Sequence, residues 1–241
     1  MKRFYVNKEL QVNSKVTIEG IEHNHISNVM RLKVNDEIIL VCGDNYDYLA
    51  RIIDISKGKT IVEILSKDVN NANPRSDVTV FQALVKSDNM SLIVQKLTEL
   101  GVKTFIPFES EFITSKDKYN KCQKLQEISN QSIKQCKRSI PMKIENTKSF
   151  KEMIEDLHNY DLVIFANECE HSVDLKSIFL ENNKIALIIG SEGGFSKQEI
   201  EMLENNGVKS ISMGNRILRA ETASISLTAV VMYLIGEWHY E

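Results

Sequence analysis

Two short runs near the C-terminal end hold the residue types best suited to chemistry. The first, Gly190-Ser191-Glu192-Gly193-Gly194-Phe195, follows an apolar stretch from Ile185 to Ile189 that reads as a buried strand. It precedes a helix whose start is marked by Ser196 with Glu199 three residues on, the spacing of a capping box. Glycines between the C-terminal end of a strand and a helix let backbone approach a ligand closely, and open α/β sheets bind ligands at that place. Phosphate is the usual occupant of such a turn. Here Glu192 would repel it at contact distance. The run also lacks the Lys and Ser/Thr that follow the last glycine of a P-loop, and it is not a full G-x-G-x-x-G fingerprint. A ligand with hydroxyls, an amino group or a cationic centre fits better, and the alternative is a tight turn with no ligand.

The second run repeats the logic. Val208 to Met213 reads as a strand, Gly214 breaks it, and Arg216 to Thr222 (RILRAET) leads into an apolar helix over Glu221 to Tyr240. That helix carries Ile225, Leu227, Val230, Val231, Tyr233, Leu234 and Trp238 on more than one face, so it needs partners on more than one side. The domain supplies one; a second copy of the chain could supply another.

The elements that must position these runs change character along the chain. Up to about Val69 the pattern is short strands, Arg3 to Val6, Val16 to Ile18, Asp36 to Cys42, Tyr48 to Ile55 and Thr60 to Leu65, with one helical stretch from Ile21 to Leu32. Turn signals separate the strands, which suggests a small barrel. Asn70 to Asp77, with Pro74, reads as a linker. After it, strands and helices alternate, the signature of an α/β domain with a parallel sheet. The expected elements are a strand Val78 to Val85, a helix Asn89 to Leu100 ended by Gly101, a strand Thr104 to Phe108, a helix running through Leu125 to Cys136 with Lys137 and Arg138 in its last turn, a helix Ser149 to His158, and a strand Leu162 to Ala166.

At 241 residues the chain accommodates one large domain or two smaller ones. Cys42, Cys122, Cys136 and Cys169 show neither C-x-x-C pairing nor zinc spacing, and read as free thiols of a reducing cytosol. His23 and His25 have no third ligand at metal spacing, so no metal site is expected; His158 and His171 are isolated. The opening MKRFYV turns polar at once, and no apolar stretch reaches transmembrane length, so a cytoplasmic protein without membrane contact is expected. The net charge of -3 argues against a uniformly basic nucleic-acid binder. Between Ile113 and Lys151, however, ten Lys or Arg face three acids. Such a stretch could steer a polyanion to one face or be a solvated helix face.

IGSEGGFS with Glu199, followed by MGNRILRAETA, resembles the two C-terminal signatures of the RsmE family of 16S rRNA (uracil-N3)-methyltransferases. The likeness extends to KSDNMSLIVQKLTELGV, NQSIKQCKRSIP, RFYV and HISNVMRL, and so covers nearly the whole chain. It departs at Ser191 and Asn215, where the family usually carries proline, and these loops thereby lose a fixed φ. The resemblance implies a fold of the SPOUT class: a small PUA-like β-barrel that binds RNA over residues 1–72, then a parallel-sheet α/β domain with a deep trefoil knot over residues 73–241. A knot has no sequence signature of its own.

The resemblance further implies S-adenosylmethionine as cofactor, 16S rRNA in the small ribosomal subunit as substrate, and a homodimer. Cofactor contacts would come from Ala166, Asn167, Ile189, Gly190, Ser191, Glu192, Gly193 and Gly194, and from Met213, Gly214, Ile217, Leu218 and Arg219 of the second run. Uracil N3 carries a proton that must leave before or during attack, which requires a base or a stabilising cation. Arg219 and Glu221 stand next to the second run for those roles, or form a structural ion pair at the helix start. Arg3, His25, Arg31, Lys86, Lys137 and Arg138 are the candidates for RNA contact; for Arg31 a surface pair is the alternative. Two other readings remain: a SPOUT ribose 2'-O-methyltransferase, and a catalytically silent RNA-binding protein.

Overall fold

The computed structural model describes residues 1–113, 121–167 and 184–238. Lys116, Asp117, Lys118, Cys169 and His171 therefore lie outside the described residues. The chain divides into two compact units, one of Met1–Asn73 with Asn130–Pro141, the other of Pro74–Ser129 with Met142–Glu241. The first unit thus takes in a later segment that a simple cut after residue 72 leaves to the second.

In the first unit, β1 (Lys2–Tyr5), β2 (Lys15–Glu19), β3 (Glu37–Val41), β4 (Tyr46–Ser56) and β5 (Lys59–Val69) form a five-stranded sheet in the order β1-β3-β4-β5-β2. Alternate residues of every strand, among them Phe4, Ile18, Leu40, Ile52 and Ile64, meet in one core. That is the period of two expected of strands with one buried face. The helical stretch is shorter than its sequence suggests. α1 spans Gly20–Asn24, a single wider turn covers His25–Val29, and Arg31 takes a left-handed conformation, φ 52°, that ends it. The segment expected as a linker is tied down at its start. Asn70 is buried, and its amide donates to Asp47 Oδ1 at 2.7 Å and to the Lys137 carbonyl at 2.8 Å. Asn73 donates to Ser139 Oγ at 2.8 Å.

In the second unit, β6 (Asp77–Ala83), β7 (Thr104–Glu109), β8 (Lys143–Ile144), β9 (Lys148–Ser149), β10 (Leu162–Ala166), β11 (Lys184–Ile189) and β12 (Lys209–Ile211) build an all-parallel sheet ordered β12-β10-β11-β6-β7-β8, with β9 also on β7. Its helices are α2 (Ser87–Leu100), the first part of α3 (Lys121–Cys136), which passes into the first unit at Asn130, α4 (Phe150–Asp156), α5 (Lys197–Asn205) and α6 (Ala220–Leu234). Ile185, Leu187 and Ile189 of β11 pack into one core and Ala186 and Ile188 into another, so this strand is apolar on both sides because both faces are covered. Each of these isoleucine and leucine side chains contributes about 1.5–3 kcal/mol by its removal from water.

Three helix boundaries differ from the periodicity. α3 ends at Cys136, and Lys137, with φ 68°, closes it instead of extending it. α4 starts after a Ser149–Glu152 capping box, stops at Asp156 and passes into a short 3-10 turn, Leu157–Asn159. α6 ends at Leu234, before the expected Tyr240, because Gly236 turns the chain.

Candidate active site

Parallel strands present all their C-terminal ends along one edge of the sheet, so the segments after β6, β10, β11 and β12 are neighbours whatever their distance in sequence. The segment after β11 is the first glycine run. Gln82, fully buried at the end of β6, donates from Nε2 to the carbonyls of Gly190 at 3.1 Å and Ala83 at 3.2 Å, which pins the start of the loop. Ser191 braces the loop with hydrogen bonds: its Oγ donates to the Phe112 carbonyl at 3.2 Å and accepts from the Gly193 amide at 3.3 Å. A Cβ at Gly193 would lie 2.7 Å from Cβ of Phe112, so the close approach of these two segments requires glycine.

The loop ends in the capping box expected from the sequence. Ser196 Oγ accepts from the Glu199 amide at 3.3 Å, and Glu199 Oε2 accepts from the Ser196 amide at 2.9 Å. The other carboxylate oxygen of Glu199, buried at the N-terminus of α5, accepts from the Glu111 amide at 2.9 Å. Backbone donors and the helix dipole together satisfy this buried charge.

The second run is held from β10. Asn167 donates from its backbone to the Ile211 carbonyl at 2.9 Å and from Nδ2 to Ser210 Oγ at 3.1 Å. Gly214 then turns the chain with φ 92°, a value that other residues rarely adopt. Asn215 is exposed and has no hydrogen bond of the kind that braces Ser191 among the described residues. Arg219 is the N-cap residue of α6 and is exposed. Glu221, in the first turn, stands where the helix dipole favours a carboxylate. No ion pair joins Arg219 to Glu221 among the described residues. Instead Glu221 Oε2 accepts from Nδ2 of Asn89 in α2 at 3.3 Å.

The two runs enclose a cleft of about 780 Å³. Every residue assigned above to the cofactor lines it, together with Arg219, Glu221 and Lys86. Sequence reasoning missed Asn89, Phe195, Ile200 and Arg216 in its wall. Asn89 and Arg216 stand inside quoted motifs, and the helical spacing from Ser196 was available to find Ile200. Phe195 packs edge-on against Phe165 at 5.9 Å and carries the loop onto the sheet. The cleft is apolar along Ile189, Met213 and Leu218, and carries the carboxylates of Glu192 and Glu221 beside the cations of Lys86, Arg216 and Arg219, which suits an uncharged ring joined to charged groups of both signs.

The remaining candidates do not behave alike. Arg3 forms a two-pronged ion pair with Asp47, largely buried, and is a structural residue of the first unit instead of a free phosphate ligand. Arg138 is only 2% exposed, so its guanidinium is not presented to an external phosphate, and the expected RNA contact is withdrawn for it. His25 is half-buried with its ring against Phe4, and His23 Nδ1 pairs with Thr60 Oγ1 at 2.9 Å. Arg31, Lys86 and Lys137 are exposed. Among the described residues no group of three or more His, Cys, Asp or Glu could hold a metal ion, and no helix is long and apolar enough to cross a membrane.

Comparison with known proteins agrees with this geometry. Residues 71–232 match the RNA methyltransferase domain family, and residues 19–65 match the RNA methyltransferase PUA domain. A ribosomal RNA small subunit methyltransferase E from Rickettsia conorii is 33% identical over 96% of this chain and 95% of its own. A protein of that name from Neisseria gonorrhoeae, solved bound to S-adenosyl methionine, superposes with a TM-score of 0.91 at 26% identity, over 97% of this chain and 98% of the other. A Legionella pneumophila structure solved with bound SAM gives a TM-score of 0.90 at 26% identity, over 96% of each chain. With a PUA-like first unit, a parallel-sheet SPOUT-type second unit and both domain matches in order, the chain belongs to the ribosomal RNA small subunit methyltransferase E family of RNA methyltransferases.

Proposed function

We propose that this protein methylates N3 of a uridine in the decoding region of 16S rRNA, using S-adenosylmethionine, on assembled small ribosomal subunits. The observation that carries the reading is the single cleft in which two glycine-bearing loops, an exposed arginine and a half-buried glutamate meet. The volume of about 780 Å³ is within the range of small-molecule sites. Its donor set fits the cofactor: loop backbone for the polar edge of adenine, Ile217 and Leu218 for its faces, and Glu192 for a cationic centre. Bound there, S-adenosylmethionine supplies an electrophilic methyl group on a sulfonium.

The chain's own residues then have three tasks. The loops hold the reactants in line and exclude water. Glu221 receives the proton that leaves uracil N3, and Arg219 stabilises the negative charge left on the ring. N3 is the Watson-Crick donor of uracil, so the base must be unpaired or extruded to enter. Arg31, Lys86 and Lys137 offer exposed cations to the RNA backbone. Val230, Tyr233 and Trp238, on and just after α6, are between 43% and 56% exposed, which supports a homodimer through this helix; light scattering of purified protein tests it. Ribosomal subunits as substrate put the reaction in the cytoplasm.

The test is transfer of labelled methyl to small subunits that lack the modification, followed by digestion to nucleosides and mass spectrometry. Labelled 3-methyluridine is the expected product. A 2'-O-methyl nucleoside would reassign the protein to ribose chemistry, and RNA binding without transfer would make it a silent binding protein.

A further inference from the structure

The side chain of Glu221 has one hydrogen-bond partner among the described residues, and it was not foreseen from the sequence: Asn89, 132 positions away, whose Nδ2 donates to Oε2 at 3.3 Å. Asn89 belongs to the first turn of α2 and is half-buried in the wall of the same cleft. Met90, Ile93, Val94 and Leu97 fix α2 in the core, and Leu227, Val231 and Met232 do the same for α6. Both ends of the hydrogen bond therefore stand on anchored helices, the condition for holding a side chain in one orientation. The donor is a neutral amide. An ammonium or guanidinium in its place would pair with the carboxylate and weaken it as a proton acceptor, whereas an amide orients it without adding charge. The other charged groups lining this cleft are Lys86, the N-cap residue of α2, Glu192 on the first loop, and Arg216 and Arg219 on the second; Asp88 stands in the first turn of α2 beside Asn89.

We propose that Asn89 is a positioning residue for the methyl-transfer reaction: it engages Oε2 of Glu221 and leaves Oε1 as the oxygen offered to the target base. This rests on the reading of Glu221 as the proton acceptor, and the experiment separates the two. Asn89→Ala, Asn89→Asp and Glu221→Gln are made in the full chain. For each, kcat and KM on unmodified small subunits are measured, with cofactor affinity by calorimetry and Tm. Loss of one net hydrogen bond corresponds to a fall in kcat of about fivefold to tenfold for Asn89→Ala, with KM, cofactor affinity and Tm essentially unchanged. Asn89→Asp, which puts a second carboxylate beside Glu221, should fall further. A wild-type kcat in Asn89→Ala, or a loss that follows cofactor affinity or Tm, overturns the proposal. If Glu221→Gln is slow while Asn89→Ala is not, the positioning role alone fails. If Glu221→Gln keeps the wild-type kcat, the proton-acceptor reading fails and takes this proposal with it.

Discussion

Replacing Gly193 by alanine puts a methyl carbon 2.7 Å from Cβ of Phe112 and 3.2 Å from its carbonyl oxygen. Unstrained carbon contacts lie at about 3.5–4.0 Å, so roughly 1 Å of movement is required. Phe112 is poorly placed to provide it. Its carbonyl accepts from Ser191 Oγ at 3.2 Å, and the amide of Glu111 donates to the buried Glu199 at 2.9 Å. The exposed loop is the softer side, and it moves at the expense of the cofactor site. Overpacking of this kind costs about 1–3 kcal/mol, which corresponds to a weakening of S-adenosylmethionine binding by about fivefold to 150-fold. Valine starts with the same first carbon and should behave similarly. Calorimetric titration with the cofactor, beside an RNA-binding assay, reads the effect, and RNA affinity should be spared. Adding Phe112→Gly removes the opposing Cβ and should restore most of the loss. Gly214→Ala is the contrast: no atom lies within 4 Å of its added Cβ, and the damage comes from φ 92°, so Phe112→Gly should not repair it. Cofactor binding by Gly193→Ala within about twofold of wild type, or no recovery in the double variant, would refute the steric account.

Glu192→Arg should weaken S-adenosylmethionine by at least about tenfold through like-charge repulsion and weaken the neutral thioether product less, as competition calorimetry would show. Lys137→Ala should lower RNA affinity and reduce the salt slope by about one without changing Tm. Arg138→Ala, at a buried position, should lower Tm, and any loss of RNA binding should follow from that. Burial and its hydrogen bond to Asp44 raise the Tyr48 phenol well above its ordinary value of 10.0. The folded state therefore retains a proton that the unfolded chain releases, so the stabilisation is complete below pH 10 and declines as pH rises through the alkaline range. Tyr48→Phe should flatten that decline in alkaline denaturation curves and cost about 1–2 kcal/mol at neutral pH.

Much of the chain was legible because its signals are local. The capping box at Ser196 needs only residues three apart, and the strand Leu162–Ala166 is a short apolar run with polar flanks; the box at Ser149 has the same spacing but was not read. The buried face of α2 repeats at helical spacing. Where a boundary depended on one residue's backbone state, periodicity failed. Arg31 and Lys137 both adopt left-handed conformations that their side chains do not advertise. The charges misled in the same way: Arg3 and Arg138 read as free cations in sequence, yet one is paired to Asp47 and the other is buried.

Sequence alone determined the order of the longer elements, though not the two-residue strands β8 and β9, together with the two glycine runs and the family likeness, because each is carried by residue types at short spacing. Tertiary structure decided which of these residues share a site. Parallel pairing of β10, β11, β6 and β12 brings residues 86, 89, 167, 192 and 221 to one cleft, although up to 135 positions separate them. It also decided that Glu221 answers to Asn89 and not to Arg219, two residues away. Arg219 precedes the helix with extended backbone, φ -65° and ψ 152°, while Glu221 belongs to its first turn, and the packing of α2 beside α6 supplies the partner.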